Sequence, residues 1–174
     1  QILTIHDLGF EHFPSHVPFL VRKYYQFFTP KYCEKAAKIL AVSEFTKRDI
    51  IERYGIDEKK IEVVYNGFDQ ETHNINQKSR QKLPYFIFIG AVHPRKNVLN
   101  LLKAFELFKQ KNNHTTQLIL VGRKAWMNNE LEHFLQNMKY KNDVIWIENC
   151  NRNELIQLLQ NAVALVYPSL FEGF

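Results

Sequence analysis

Two adjacent cations, Arg95 and Lys96, follow a glycine and a proline in the stretch GAVHPRKNV, residues 90–98. Cations at a turn that opens a helix suit an anion, because the first helical turn presents unpaired N–H groups and the positive end of the helix dipole. A charge-assisted hydrogen bond contributes about 1.5–3 kcal/mol and a helix terminus about 0.3–1 kcal/mol, so the two side chains would dominate phosphate binding there. The segment is not a Walker loop, since no Gly-Lys-Ser/Thr follows, nor the three-glycine dinucleotide fingerprint. Its plainer reading is a solvated turn. A carboxylate, Glu172, lies in YPSLFEGF (167–174), and His6 with Asp7 lies in TIHDLGFEHFPSHVP (4–18), where a histidine can hydrogen-bond a substrate. His12 and His16 do not form the helical pair that zinc hydrolases use and no Cys is near, so metal binding is not expected.

These residues need elements that carry them to a common edge. Strand-like runs occur at 2–5, 39–42, 61–65, 85–89, 117–121, 144–147 and 162–167. Helical patterns occupy about 19–37, with a break or kink at Pro30, then 44–54, 98–111, 129–140 and 153–161. Tyr85 to Ile89 is an unbroken apolar run of the kind covered on both faces in a parallel sheet. Val98, Leu101, Leu102, Phe105 and Phe108 fall on one helical stripe. Strand alternating with helix predicts a doubly wound α/β fold with parallel sheets. Ligands bind at the carboxyl edge of such sheets, which is where strand 85–89 delivers Arg95 and Lys96 and the last strand delivers Glu172. Ser43 and Asn151 read as helix caps and Gly55 as a helix stop. The stretch 66–84 is polar, aperiodic and closed by a proline. It reads as a linker, because structureless loops beyond about 15 residues are uncommon inside compact domains; a long surface loop is the alternative.

The composition is that of a globular chain: 174 residues, 45% hydrophobic and 24% charged. The formal charge of +5 is spread out, with 13 Lys/Arg against 11 Asp/Glu in residues 1–83 and 10 against 7 in 84–174. That leaves a mild preference for anionic partners and no polybasic tail for nucleic acid. Cys33 and Cys150 form no C-x-x-C, which suits a reducing compartment; Cys33, Trp126 and Trp146 read as packing residues. No signal sequence and no run of 18 apolar residues is evident, and a start without Met inside a strand pattern reads as an internal fragment. Residues 18–38 mix Phe and Tyr with Arg22, Lys23, Lys31, Lys35 and Lys38. The expectation is core-packing aromatics beside a solvated basic face, with contact to an anionic membrane as the alternative.

In series, TIHDLGFEHFP, AVSEFTKRDI, VVYNGFD, GAVHPRKNVLNLLKAF, LILVG and VYPSLFEGF resemble the retaining glycosyltransferases of the GT-B fold, the group-one (family four) set that uses nucleotide-sugar donors. The resemblance covers nearly the whole chain in the family's order. It implies parts of two Rossmann-like domains: residues 1–65 as the C-terminal part of the acceptor-side domain, 66–84 as linker, and 85–174 as the N-terminal part of the donor-binding domain. It further implies that Gly90, Arg95 and Lys96 hold the donor diphosphate. Lys96 matches the family's phosphate-binding lysine, and Arg95 would compensate for Ala91, where many members carry Arg. Glu172 resembles the first Glu of the family's paired motif, touching the donor sugar together with Gly173 and Phe174; the second Glu falls eight positions on, beyond Phe174. His6 matches the histidine that approaches the sugar from the acceptor side, which makes His6 and Glu172 the expected catalytic residues. Gly122, Asn149 and Cys150 occupy positions near the nucleotide base. The implied activity is transfer of a hexose, of the mannosyl type, from a GDP- or UDP-sugar to a glycan or lipid-linked acceptor in polysaccharide biosynthesis. The implied setting is cytoplasmic, peripheral on the inner face of the membrane through 18–38, with no metal or other cofactor and with the fragment inactive alone. The alternatives are a non-catalytic sugar-nucleotide or membrane-associated binding module, and a dinucleotide-binding oxidoreductase. Against the latter, no strand is followed by G-x-G-x-x-G with an acidic residue about 20 positions on.

Overall fold

A computed structural model describes residues 1–68, 83–112, 115–125 and 129–174. The chain divides into two compact units, Gln1–Glu71 with Phe171–Phe174, and Thr72–Leu170. Most of the expected linker 66–84, and Trp126, lie outside the described residues.

The first unit contains β1 (Ile2–Ile5), a short α1 (Gly9–His12), α2 (Phe19–Lys35), β2 (Lys38–Ala41), α3 (Glu44–Tyr54) and β3 (Ile61–Val63). Its sheet has the order β1-β2-β3 and is parallel throughout, with Ile2 opposite Lys38 and Ile39 opposite Ile61. Parallel neighbours require crossovers, which α2 and α3 supply. Ile5, Leu8, Cys33, Ala36, Ile39, Ala41, Ile50, Ile56 and Ile61 close the core. Helix α3 starts where Ser43 accepts the Thr46 N–H at 3.1 Å, a cap that contributes about 1 kcal/mol. It stops at Gly55, whose N–H donates to the Ile51 carbonyl.

Helix α2 runs through Pro30 without ending, and Lys60 caps it by donating to the carbonyls of Cys33 (3.2 Å) and Glu34 (2.5 Å). The expectation of core-packing aromatics on this helix is overturned. Only Thr29 and Cys33 are buried, while Phe19, Leu20, Tyr24, Tyr25, Phe27 and Tyr32 are exposed. The apolar positions follow one another on several faces of α2, so burying them all would require cover that a single sheet face does not provide.

The second unit contains β4 (Tyr85–Ile89), α4 (Val98–Asn112), β5 (Gln117–Val121), α5 (Asn129–Asn137), β6 (Val144–Ile147), α6 (Arg152–Asn161) and a two-residue β7 (Ala164–Leu165). Its parallel sheet has the order β6-β5-β4-β7. Alternation sends Phe88, Leu118 and Leu120 into one core with Leu101, Leu102 and Phe105 of α4 and Leu131 of α5. Tyr85, Ile87, Ile119 and Val121 enter the opposite core with Leu155 and Leu158 of α6. Both faces of the sheet are therefore covered, as the unbroken apolar strands require. Helix α6 opens on a complete capping box, Asn151 accepting from Glu154 N–H while Glu154 accepts from Asn151 N–H. Two boundaries are shorter than the sequence suggests. The Lys139 N–H, just past α5, is taken by Glu106 at 2.6 Å, and Pro168, just past β7, has no amide proton to continue a ladder.

Candidate functional site

Beyond β4 the chain keeps following β5: Gly90 N–H donates to the Val121 carbonyl and Val92 N–H to the Arg123 carbonyl, each at 2.9 Å. At Gly122 (φ 144°) an added Cβ would lie 2.2 Å from the Gly90 oxygen, so the two strand ends touch backbone to backbone and only glycine fits. The turn that follows is built by its own residues. His93 Nδ1 accepts the Arg95 N–H at 3.2 Å, Pro94–Lys96 form a 3-10 turn, and Asn97 is left-handed at φ 59°. The Asn97 carbonyl then accepts the Leu101 N–H, so α4 begins just beyond the cations. A pocket of about 160 Å³ opens beside this turn, between Val92, His93, Asn97, Asn100 and Leu131.

The segment after β7 grips the same turn. Asn97 Nδ2 donates to the Pro168 carbonyl at 3.1 Å, and Leu170 N–H donates to the Arg95 carbonyl at 2.8 Å. Lys96 Nζ donates to the Tyr167 hydroxyl and lies 4.7 Å from the centre of that ring, which stacks on Phe88 at 5.8 Å. Lys96 is half-buried, its ammonium group held in place by Tyr167.

At the neighbouring strand ends, Gly122 N–H donates to the Ile147 carbonyl at 2.9 Å, and the Gly122 carbonyl accepts the Trp146 indole N–H at 2.9 Å. Asn149 is exposed just past β6. Cys150 is half-buried, and burial followed by the nearby Glu154 raises its thiol pKa. Gly90, Arg95, Lys96, Gly122, Asn149 and Cys150 thus follow the carboxyl ends of β4, β5 and β6 within one unit.

His6 belongs to the first unit. It is exposed at the end of β1, its carbonyl 3.3 Å from Thr46 Oγ1, while Asp7 Oδ1 accepts the Gly9 N–H at 2.8 Å. Glu172 is found in this unit too: the expected segment 85–174 makes its last contacts elsewhere, because Phe171–Phe174 pack with residues 1–71. Phe171 fills a site among aromatic rings, and Gly173 fits against the His6 carbonyl and the Asp7 Cβ. Phe174 stays largely exposed, edge-on to Tyr65. His6 and Glu172 therefore share one unit, and the cations lie in the other.

His12 pairs with Asp49 at 2.7 Å, and His16 stacks on Phe13. Among the described residues no group of three or more His, Cys, Asp or Glu is placed to hold a metal ion, and no helix is long and apolar enough to cross a membrane. Sequence reasoning missed Tyr167, Asn97, Trp146 and Thr46. Asn97 alone carried a local signal, since Asn adopts left-handed backbone more readily than other non-glycine residues.

Parallel sheets wound with helices in two units define the GT-B type of fold, and solved structures agree: HepE from Anabaena, in complex with UDP-glucose, matches 99% of this chain and 47% of its own with TM-score 0.74 at 17% identity. The chain belongs to the family described as glycosyl transferases group 1, matched over residues 69–174, while residues 1–72 match Glycosyltransferase Family 4. The O-antigen chain mannosyltransferase RfbU of Salmonella typhimurium is 29% identical over 174 residues, which is 100% of this chain and 47% of RfbU. The lipopolysaccharide outer core galactosyltransferase WaaB, in its apo form, is 26% identical with TM-score 0.58 over 80% of this chain and 38% of its own. The chain spans about half the length of RfbU.

Proposed function

We propose that the protein transfers a hexose, with retention of configuration, from a GDP- or UDP-sugar to a glycan or lipid-linked acceptor in surface polysaccharide synthesis. The observation that carries this reading is the turn after β4, where Arg95 and Lys96 stand at the carboxyl edge of a parallel sheet and Tyr167 holds Lys96 in place. Sugar transfer passes through an oxocarbenium-like state while negative charge grows on the departing diphosphate, so cations already fixed stabilise the transition state most. On this reading Arg95 and Lys96 meet the diphosphate and do the work a metal ion would otherwise do, with no further cofactor. Glu172 with Gly173 and Phe174 meets the donor sugar, His6 approaches it from the acceptor side, and Gly122, Asn149 and Cys150 flank the base. Residues 1–65 serve the acceptor side and the segment from residue 85 the donor side, with 66–84 between them. The mannosyltransferase relative RfbU favours mannose as the sugar. The exposed Phe19, Leu20 and Phe27 with Lys23, Lys31 and Lys35 on α2 suit peripheral contact with an anionic inner membrane face in the cytoplasm.

The test is release of nucleoside diphosphate by the full-length protein from a panel of GDP- and UDP-sugars. Lys96→Ala removes a charge-assisted bond to the leaving group and is expected to lower turnover by about 2–3 kcal/mol, roughly 30- to 150-fold, with Arg95→Ala slowing the same step. Wild-type rates in both variants would overturn the phosphate assignment.

A further inference from the structure

We infer that Phe171, Ser43 and Thr46 are positioning residues for Glu172, anchoring the chain on both sides of that carboxylate within the first unit. The inference rests on Glu172 being the donor-sugar contact. On one side, Phe171 is only 9% exposed, with ring centres of His12 at 4.5 Å, Phe45 at 5.6 Å and Phe13 at 6.0 Å. The His12 wall is itself held. His12 Nε2 lies 2.7 Å from the buried Asp49 carboxylate, and Arg53 Nη2 lies 3.0 Å from His12 Nδ1 and 3.4 Å from Nε2. Asp49 in turn accepts from Arg53 Nε at 2.7 Å.

On the other side, the Gly173 carbonyl accepts two hydroxyl protons, from Ser43 Oγ and from Thr46 Oγ1, the latter at 2.9 Å in a residue only 1% exposed. An added Cβ at Gly173 would lie 2.0 Å from the His6 oxygen and 2.7 Å from Asp7 Cβ, so any side chain there would push the segment away from the end of β1. Burying one ring would be enough to dock this segment. Two hydroxyls on a single carbonyl do something different, for they also set the rotation of the peptide. With an anchor one residue before and one residue after, the backbone of Glu172 is fixed on both sides, which reduces the entropy lost in placing it. The backbone that carries its carboxylate is thus fixed beside the end of β1, where Gly173 meets His6, and misplacement of about 1 Å in a catalytic group can cost about 100-fold in rate.

The experiment compares Thr46→Val, which keeps shape and removes the hydroxyl, Ser43→Ala, Phe171→Leu and Glu172→Ala in the full-length protein. The readouts are transfer from GDP-mannose, GDP-glucose, UDP-glucose and UDP-galactose, calorimetric binding of free GDP and UDP, and the thermal midpoint. The expected result for Thr46→Val and Phe171→Leu is a loss of transfer of about 10- to 100-fold with a matching loss of preference between the epimeric sugars, while diphosphate binding stays within about twofold. Phe171→Leu stands in if Thr46→Val does not fold. Glu172→Ala impaired but Thr46→Val and Phe171→Leu at wild-type rate and preference would overturn the anchoring alone. Equal losses in transfer and diphosphate binding, following the thermal midpoint, would reduce the anchors to a structural role and overturn it as well. Glu172→Ala at wild-type rate and preference would overturn the sugar-contact reading, and the anchoring with it.

Discussion

Lys96 finds its partner 71 positions away, in Tyr167, and that separation explains what was and was not visible in the residue types. His6 presents the contrasting case. Its carbonyl lies beside the Thr46 hydroxyl, while its ring is exposed at the end of β1, in the unit that does not carry Arg95 and Lys96. His6→Ala in the full-length protein is expected to lower sugar transfer about 10- to 100-fold, the loss of one hydrogen bond to a charged or polarised group, and to leave calorimetric binding of free GDP or UDP within about twofold. Equal losses in both measurements would make His6 a structural residue. Arg95 and Lys96 were legible because glycine, proline and both cations fall within seven consecutive residues, 90–96. Tyr167 and Thr46 were not, because each acquires its role from a contact that only folding creates. Thr46 meets Gly173 across 127 positions, and nothing in AVSEFTKRDI marks that residue beyond its place in the first turn of a helix.

At the scale of elements, the boundaries that matched the sequence are those written in local chemistry: Ser43 and Gly55 around α3, Asn151 and Glu154 at α6, and the apolar runs of β4, β5 and β6. Those that differed are set from a distance, as when Glu106 takes the Lys139 N–H beyond α5. The faces of α2 belong to the second kind, since apolar residue types do not reveal which of them receive cover. Lys31 Nζ lies 3.2 Å from the centre of the Phe27 ring and Arg22 lies over Phe19 at 5.4 Å, so cations and exposed rings are interleaved along one helix. If this helix touches anionic lipid, the full-length protein will sediment with vesicles containing phosphatidylglycerol and not with pure phosphatidylcholine, and raising salt will release it. Leu20→Glu together with Phe27→Glu is expected to reduce that binding by about tenfold or more, since both residues are already exposed and their loss removes no core packing. Wild-type sedimentation of the double variant would remove α2 as the contact.

Over the whole molecule, the doubly wound architecture was readable from strand and helix alternation. The attachment of the last four residues to the first unit was not, because it depends on Phe171 and Gly173 finding partners far back in the chain. The same unit sets an alkaline limit. Burial pushes the Cys33 thiol up to about 11 from its ordinary 9.0, despite the opposing charge of Lys60. Burial, and then the charge and hydrogen bond of Glu11, also raise the Tyr54 hydroxyl. Both folded values exceed the unfolded ones, so the folded state favours the protonated groups. Their stabilisation is complete below about pH 9 and is lost as pH rises, through about 11 for Cys33. The thiol's share is about 2–3 kcal/mol. Denaturant midpoints measured from pH 8 to 11 are expected to fall, and Cys33→Ala to fall less steeply across that range; parallel slopes would show that the thiol carries none of the effect. A last consequence concerns Ser43, whose one oxygen accepts the Thr46 N–H at the start of α3 and gives its proton to Gly173. Helix initiation and tail attachment are thereby tied to the same codon. Aspartate at that position would preserve the helix and offer nothing to the carbonyl, whereas threonine keeps both roles, so the paths open to drift at residue 43 are narrower than an ordinary cap would leave them.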